Sequence, residues 1–382
     1  MSASPPIFRG VESKRLMSLD VFRGLTIFLM IVVNSSGPES FAQLQHSAWN
    51  GWTFTDLIFP FFLFITGISL TFSFASRLER AESRAHLLLH ILRRSAIIFA
   101  IGLLINGFPY YDLSTWRVAG ILQRIALCYL AASLLYLWAG VRTRWAVIAM
   151  LLAGYWFLLR FVPVPGFGVP NVDIPLLDPD RNMVAWLDRK LMWGRLYETV
   201  RDPEGILSTF PAIANTLFGV AVGEWIRSLR GDAGRLLRRL VVVGLACFLA
   251  GELWGLVFPI NKKLWTSSYV LITAGLAMFA FAACYWLLDV KKLRGRWPII
   301  PIVFGTNCIF AYALSEFAAI SAAVFKFTYD GKLVSSEEVL SSVIFDYISP
   351  PQLSSLACAL FYAAVCWFVT WVLYRRKIFL KI

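Results

Sequence analysis

The sequence predicts an all-α integral membrane protein, a bundle of about ten transmembrane helices with both termini cytoplasmic, and three observations predict it. First, only 15% of the 382 residues are charged while 58% are hydrophobic, against about 25% charged in an ordinary soluble domain. Second, the aromatic load of 31 Phe, 15 Trp and 13 Tyr suits rings anchored at bilayer interfaces. Third, ten apolar runs approach or exceed the ~20 residues that a helix needs to cross the hydrocarbon core. The same composition excludes a soluble globular domain and intrinsic disorder.

The expected spans, in order, are 18–35, 53–76, 86–107, 117–139, 143–161, 205–228, 236–258, 264–288, 298–321 and 355–374. They are long and unbroken, so they read as helices, because unpaired backbone is too costly in lipid and barrel strands are shorter. The first run opens after Lys14 and Arg15 without a short cleavable region, and reads as a first span. Of the 36 lysines and arginines, 23 fall at the termini and in one set of alternate loops and 11 in the other set; Arg23 and Arg124 lie inside spans. The richer set is assigned to the cytoplasm, so the net charge of +13 marks topology and calls for no nucleic acid. The chain is expected to be one domain over 1–382, with a proline-rich outer loop at 162–203 as a candidate lid. A second outer segment, 327–352, holds a possible short helix at 336–347. No internal repeat of the kind found in many transporters is evident.

Chemistry-bearing residues are few. Six cysteines lie in apolar runs without a CxxC pair, and the histidines form no ligand pattern, so neither disulfides nor a metal is expected. No phosphate-binding GxxxxGK[ST] loop or GxSxG elbow is present. His46 is the only histidine of the outer loops, and an imidazole titrates near neutral pH, which suits a general base. Its plainer role is a bond to a loop carbonyl. His86 and His90, one turn apart beside Arg93 and Arg94, read as helix-end or headgroup contacts.

Asn34 closes the first span twelve residues before His46, where an amide can donate to an oxyanion or simply cap the helix end. Asp56 lies inside the second run, where it either holds a polar partner or stabilises a helix N-terminus. Arg124 sits in the fourth run and must find an anion, carbonyls or water. Asp20 and Arg23 are spaced to pair with each other. Asp202 and Pro203 fit a helix start, leaving Glu204 as a candidate ligand for a polar group.

Six segments carry a resemblance: RLMSLDVFRGLTIFLMIVVN (15–34), HSAWNGWTFTDLIFPFFLFITGISL (46–70), RVAGILQRIALCYL (117–130), DPEGILSTFPAIANTLFGVAVGEWI (202–226), NKKLWTSSYVLITAG (261–275) and LYRRKIFLKI (373–382). In this order they resemble the core of the heparan-α-glucosaminide N-acetyltransferase family, including its bacterial members. The resemblance implies an acetyl group passed from cytoplasmic acetyl-CoA to the amine of a glucosamine-type sugar at the outer, periplasmic face of a bacterial inner membrane. It places the family's essential histidine on His46 and its active-site asparagine on Asn34. A large luminal N-terminal region and its first span, present in the lysosomal enzyme, have no counterpart here, so free or small amino sugars join heparan ends as expected acceptors.

Arg15 and Arg94, at inner ends of the first and third runs, match basic positions of the family and are the candidate contacts to the donor's phosphates. Arg124 joins them as a donor-side cation. Asp56 and Glu204 are candidates for the sugar's ammonium or hydroxyls, and Trp49 and Trp52 for stacking on its ring. Direct transfer with His46 as base is preferred to an acetyl-histidine intermediate. Family members are often dimeric, so the resemblance also implies a homodimer. Two other functions stay open: an amino-sugar or oligosaccharide transporter, and an O-acyltransferase acting on envelope glycans.

Overall fold

The computed structural model describes residues 16–293, 295, 297–329, 332–336, 338–339 and 347–380. It is an α-helical bundle: α1 (Met17–Asn34), α2 (Phe54–Glu79), α3 (Arg84–Gly107), α4 (Ile121–Trp138), α5 (Val141–Phe161), α6 (Met183–Met192), α7 (Ile206–Ser228), α8 (Ala233–Gly255), α9 (Ser267–Tyr285), α10 (Ile299–Thr306), α11 (Cys308–Val324) and α12 (Pro351–Arg375). A two-stranded antiparallel hairpin, β1 (Lys326–Tyr329) with β2 (Lys332–Ser335), follows α11. The short helix expected at 336–347 lies mostly outside the described residues, as does Arg15.

Every expected span falls on helix, with two differences. Among the described residues, eight helices are long and apolar enough to cross a membrane, or nine if the bent pair α10 and α11 is one span. The seventh run, 236–258, forms α8, but Arg238, Arg239 and Glu252 interrupt its apolar stretch. The run at 298–321 is not one helix, because α10 and α11 meet at 87° around Asn307. Gly305 and Asn307 are poor helix formers. A Cβ on Gly305 would sit 2.2 Å from Asp20 O, so its backbone presses directly on α1. Buried Asn307 turns its amide to the segment past α12, donating to Ile378 O and accepting from Leu380 N.

One apolar cluster runs through all helices except α6, with Phe64, Phe74, Phe281 and Phe304 among its fully buried rings. Within it, α2 and α7 touch backbone to backbone: a Cβ on Gly219 would meet Phe64 O at 1.9 Å, and one on Gly67 would meet Thr216 O at 2.0 Å. Small residues at such a crossing are how membrane helices gain packing without a hydrophobic drive. This contact sets the N-terminal turns of α2 and α7 side by side.

The 162–203 loop is an ordered cap and not a loose strap. Leu177 and Val184 from the cap pack with Tyr155, Leu159, Phe258 and Leu264 in a second apolar cluster. Trp49 of the α1–α2 loop donates its indole N–H to Leu177 O at 2.9 Å and has Arg201 over its ring at 4.6 Å.

Candidate active site

Four helices begin at one end of the bundle, and their first turns bond to one another. Tyr269 of α9 donates to Asp56 O of α2 at 2.5 Å, and Arg124 of α4 donates to Ser208 of α7 and to Gly205 O. Helix N-termini carry unpaired N–H groups and partial positive charge, so this end favours carboxylates. Asp56, Asp188, Asp202 and Glu204 gather there.

Asp56 is the third residue of α2, in a capping box with Thr53, and its side chain is fully buried. Oδ2 accepts the backbone N–H groups of Ser47 (3.1 Å) and Thr53 (3.0 Å). Oδ1 meets His46 Nδ1 at 2.8 Å and Lys262 Nζ at 3.4 Å. Both readings of Asp56 therefore hold together, since it caps the helix and grips the histidine. A buried carboxylate only accepts, so it assigns the proton to Nδ1 and leaves the Nε2 lone pair available. The His46 side chain is 51% exposed, and Lys262 Nζ stands 3.3 Å from that nitrogen.

Lys262 reaches His46 because its turn is pinned. Gly51 N donates to Ile260 O at 2.8 Å, Asn261 bonds Asn50 at 3.2 Å, and Asn261 Oδ1 accepts Leu264 N at 2.9 Å. Trp265, which ends the turn, is buried with φ of 55°, a left-handed conformation costly for a bulky residue. Its surroundings hold it there: Arg124 lies 4.8 Å over the ring, Asn215 accepts its N–H at 2.9 Å, and Phe59 and Tyr269 pack edge-on. Burial pushes the Lys262 ammonium below its ordinary range, opposed by the charges of Asp56 and Glu204.

A second cluster adjoins the first. Arg117, in the connection before α4, bonds both oxygens of Asp202 at 2.6 and 2.7 Å and Glu204 at 2.6 Å. Its backbone is fixed by Asn106, which donates to Arg117 O and Ala119 O. Burial would pull the guanidinium down, but the two carboxylates hold it well above the ordinary arginine range. Asp202 is thus Arg117's partner and not the cap of α7. That cap comes from buried Asp188, whose oxygens accept Ile206 N (3.3 Å) and Asp202 N (3.4 Å). Burial pushes Asp188 up to about 6, against those two bonds. Asn34, exposed at the end of α1, donates to Glu316 of α11 at 3.2 Å.

The structure thus brings His46 and Asp56 into contact, ties Glu204 to Arg117, and sets Asn34 at the same end without bonding it to His46. Trp49 serves as a strut for the cap, and Trp52 is half-buried in the same loop. Arg124 is fully buried at this end; its Nε and Nη1 have no partner among the described residues. Arg94 lies elsewhere, in the third turn of α3, with its guanidinium 4.7 Å over Tyr129. A small apolar pocket between α1, α2, α4 and α11 is lined by Ile27, Met30, Phe62, Ile121, Leu122, Ile125, Ile309 and Tyr312.

Lys262, Arg117, Asp202, Glu316 and Asp188 were not singled out as site residues from the sequence. Lys262, Arg117 and Asp202 stand inside the family-like segments at 261–275, 117–130 and 202–226, which is the signal that could have found them.

Comparison with known proteins supplies the context. A family profile described as heparan-alpha-glucosaminide N-acetyltransferase, catalytic, matches residues 15–250. The human heparan-alpha-glucosaminide N-acetyltransferase is 29% identical over 445 aligned residues, taking in 100% of this chain and 61% of the relative. The mouse protein of the same name is 29% identical over 433, taking in 99% and 62%. The chain spans about three-fifths of the length of these relatives.

Proposed function

Because the chain belongs to the heparan-alpha-glucosaminide N-acetyltransferase catalytic family, we propose that it moves an acetyl group across a bacterial inner membrane, from cytoplasmic acetyl-CoA to the amine of a glucosamine-type sugar at the outer face. The observation that carries this reading is the 2.8 Å bond between His46 Nδ1 and buried Asp56, with the imidazole half exposed.

An ammonium is no nucleophile, so His46 Nε2 takes its proton as the amine attacks the thioester carbonyl. Asp56 holds the tautomer and balances the imidazolium that forms, as a triad aspartate does. Asn34 has two amide N–H donors, one on Glu316 and the other proposed for the oxyanion. Asp56 and Glu204 attract the cationic acceptor before its proton is lost. The thiolate leaves readily, because a thiol is acidic near pH 8.5.

The donor's nucleotide phosphates are proposed to stay at the opposite end among arginines, with Arg15 and Arg94 as contacts. The donor's weakly polar pantetheine arm is proposed to thread between the helices toward the His46 end, where Arg124 is bonded to the start of α7. Direct transfer fits a site holding one exposed base.

The test uses purified protein in detergent with labelled acetyl-CoA and glucosamine, wild type beside His46→Ala. Label in an amide of the sugar that vanishes in the variant supports the reading. Hydroxylamine-labile ester label points instead to O-acyl transfer, and sugar uptake into liposomes without acetyl-CoA points to transport.

A further inference from the structure

The site already contains an amine. Lys262 Nζ lies 2.9 Å from Nδ1 and 3.3 Å from Nε2 of His46. It also lies 3.4 Å from the carboxylate that would hold an acceptor ammonium. The side chain is 17% exposed and comes from the pinned turn that Asn261 and Trp265 fix, so this position belongs to the fold and not to a loose surface lysine. Its neighbour Lys263 points away, onto Glu198 at 3.0 Å. An acceptor nitrogen must come within hydrogen-bond reach of the base before it can be deprotonated and attack. Lys262 meets that condition with no sugar present. Burial also disfavours its charged form, as it does for lysines that act as nucleophiles.

We propose that Lys262 is a modification site: an acceptor built into the chain, acetylated on Nζ by the protein's own centre when donor is present and the sugar is not. The inference rests on the acetyl-transfer reading above. In the reaction His46 takes a first proton from the Lys262 ammonium and releases it to solvent. The Nζ lone pair then forms the N–C bond to the thioester carbonyl and the C–S bond breaks. The second Nζ proton passes through His46 to the departing thiolate. Ammonium and acetyl-CoA become an amide, CoA thiol and one free proton. The product has lost its charge, so Asp56 loses the ammonium beside it, and the acetamide fills the place of the incoming amine. Self-acetylation therefore switches the site off, and sugar protects against it.

The full chain, purified in detergent, is incubated with labelled acetyl-CoA alone, and acetyl groups are mapped by peptide mass spectrometry. Parallel arms add saturating glucosamine, or use His46→Ala, His46→Gln and Lys262→Arg, each checked for folding by gel filtration. Sugar acetylation is measured on the same samples. The expected result is hydroxylamine-resistant acetyl on Lys262, at least about tenfold above Lys263, lost in both His46 variants and suppressed by glucosamine in the wild type. Suppression by sugar requires no variant, so it stands even where a His46 variant fails to fold. Wild-type protein that acetylates glucosamine while Lys262 stays bare overturns the inference alone. So does labelling that is equal at Lys262 and Lys263, or that persists without His46. If neither glucosamine nor Lys262 is labelled, the acetyl-transfer reading fails and this inference falls with it.

Discussion

The two ends of the bundle carry charge in opposite ways. At the His46 end, polar groups from different elements are locked together: Asp56 with His46 and Lys262, Arg117 with Asp202 and Glu204, Asn34 with Glu316. At the other end arginines outnumber acids, and Arg80, Arg84, Arg93, Arg142, Arg230 and Arg238 are exposed. Pairs there are local or open to water, such as Arg235 with Asp232 and Arg227 with Glu79; buried Arg144 with Glu224 is the exception. The number of charges therefore marks a side of the membrane, whereas the identity of each partner marks a site.

The sharpest way to break this contrast is Asp56→Asn. Loss of the carboxylate removes the group that assigns the His46 tautomer, and acetyl transfer is expected to fall by about 10³-fold. A steady-state rate within tenfold of wild type would show that the pairing is structural. Arg117→Ala comes next, because it strands two acids of which Asp202 is fully buried. It should cost about 3 kcal/mol, read as a lower melting temperature in detergent, with only partial rescue by Arg117→Lys, which cannot bond both oxygens of Asp202 through a planar fork.

Asp188 offers a pH test confined to the same end. Its folded pKa of about 6 stands above the ordinary 3.8, so between those values the folded protein holds the extra proton. The stability it contributes is present at the acid side of that window and is lost as pH rises through about 6. Asp188→Asn should remove that slope, gaining on wild type by at most about 3 kcal/mol across the window. Melting curves of both proteins from pH 4 to 7 check the sign, and parallel curves would refute it. The smallest effect is expected at the opposite end, where Arg227→Ala breaks an exposed pair and should shift stability by less than about 1 kcal/mol, with sugar acetylation unchanged.

Much of the fold was legible in the sequence, because apolar runs of span length report burial locally. All ten landed on helix, and only the run around Asn307 concealed a bend, although Gly305 and Asn307 stood in it. His46 and Asp56 were legible for local reasons too: Asp56 is a costly acid in an apolar run, His46 is the one histidine of the outer loops, and at ten positions apart a short loop can join them. The remainder of the site depends on which helices pack together. Lys262 meets His46 across 216 positions and Arg117 meets Asp202 across 85. Before packing is known, each is only a loop cation in a topology count. Asp202 was misread for the same reason, since a helix-start motif is visible in sequence and a distant guanidinium is not.

The gathering of carboxylates near an exposed imidazole also bears on how the proposed turnover ends. In that proposed reaction Asp56 and Glu204 attract the acceptor while it carries positive charge, and acetylation erases that charge. The same groups that recruit the incoming cation have no electrostatic hold on the neutral amide, so the chemistry itself provides the signal for departure.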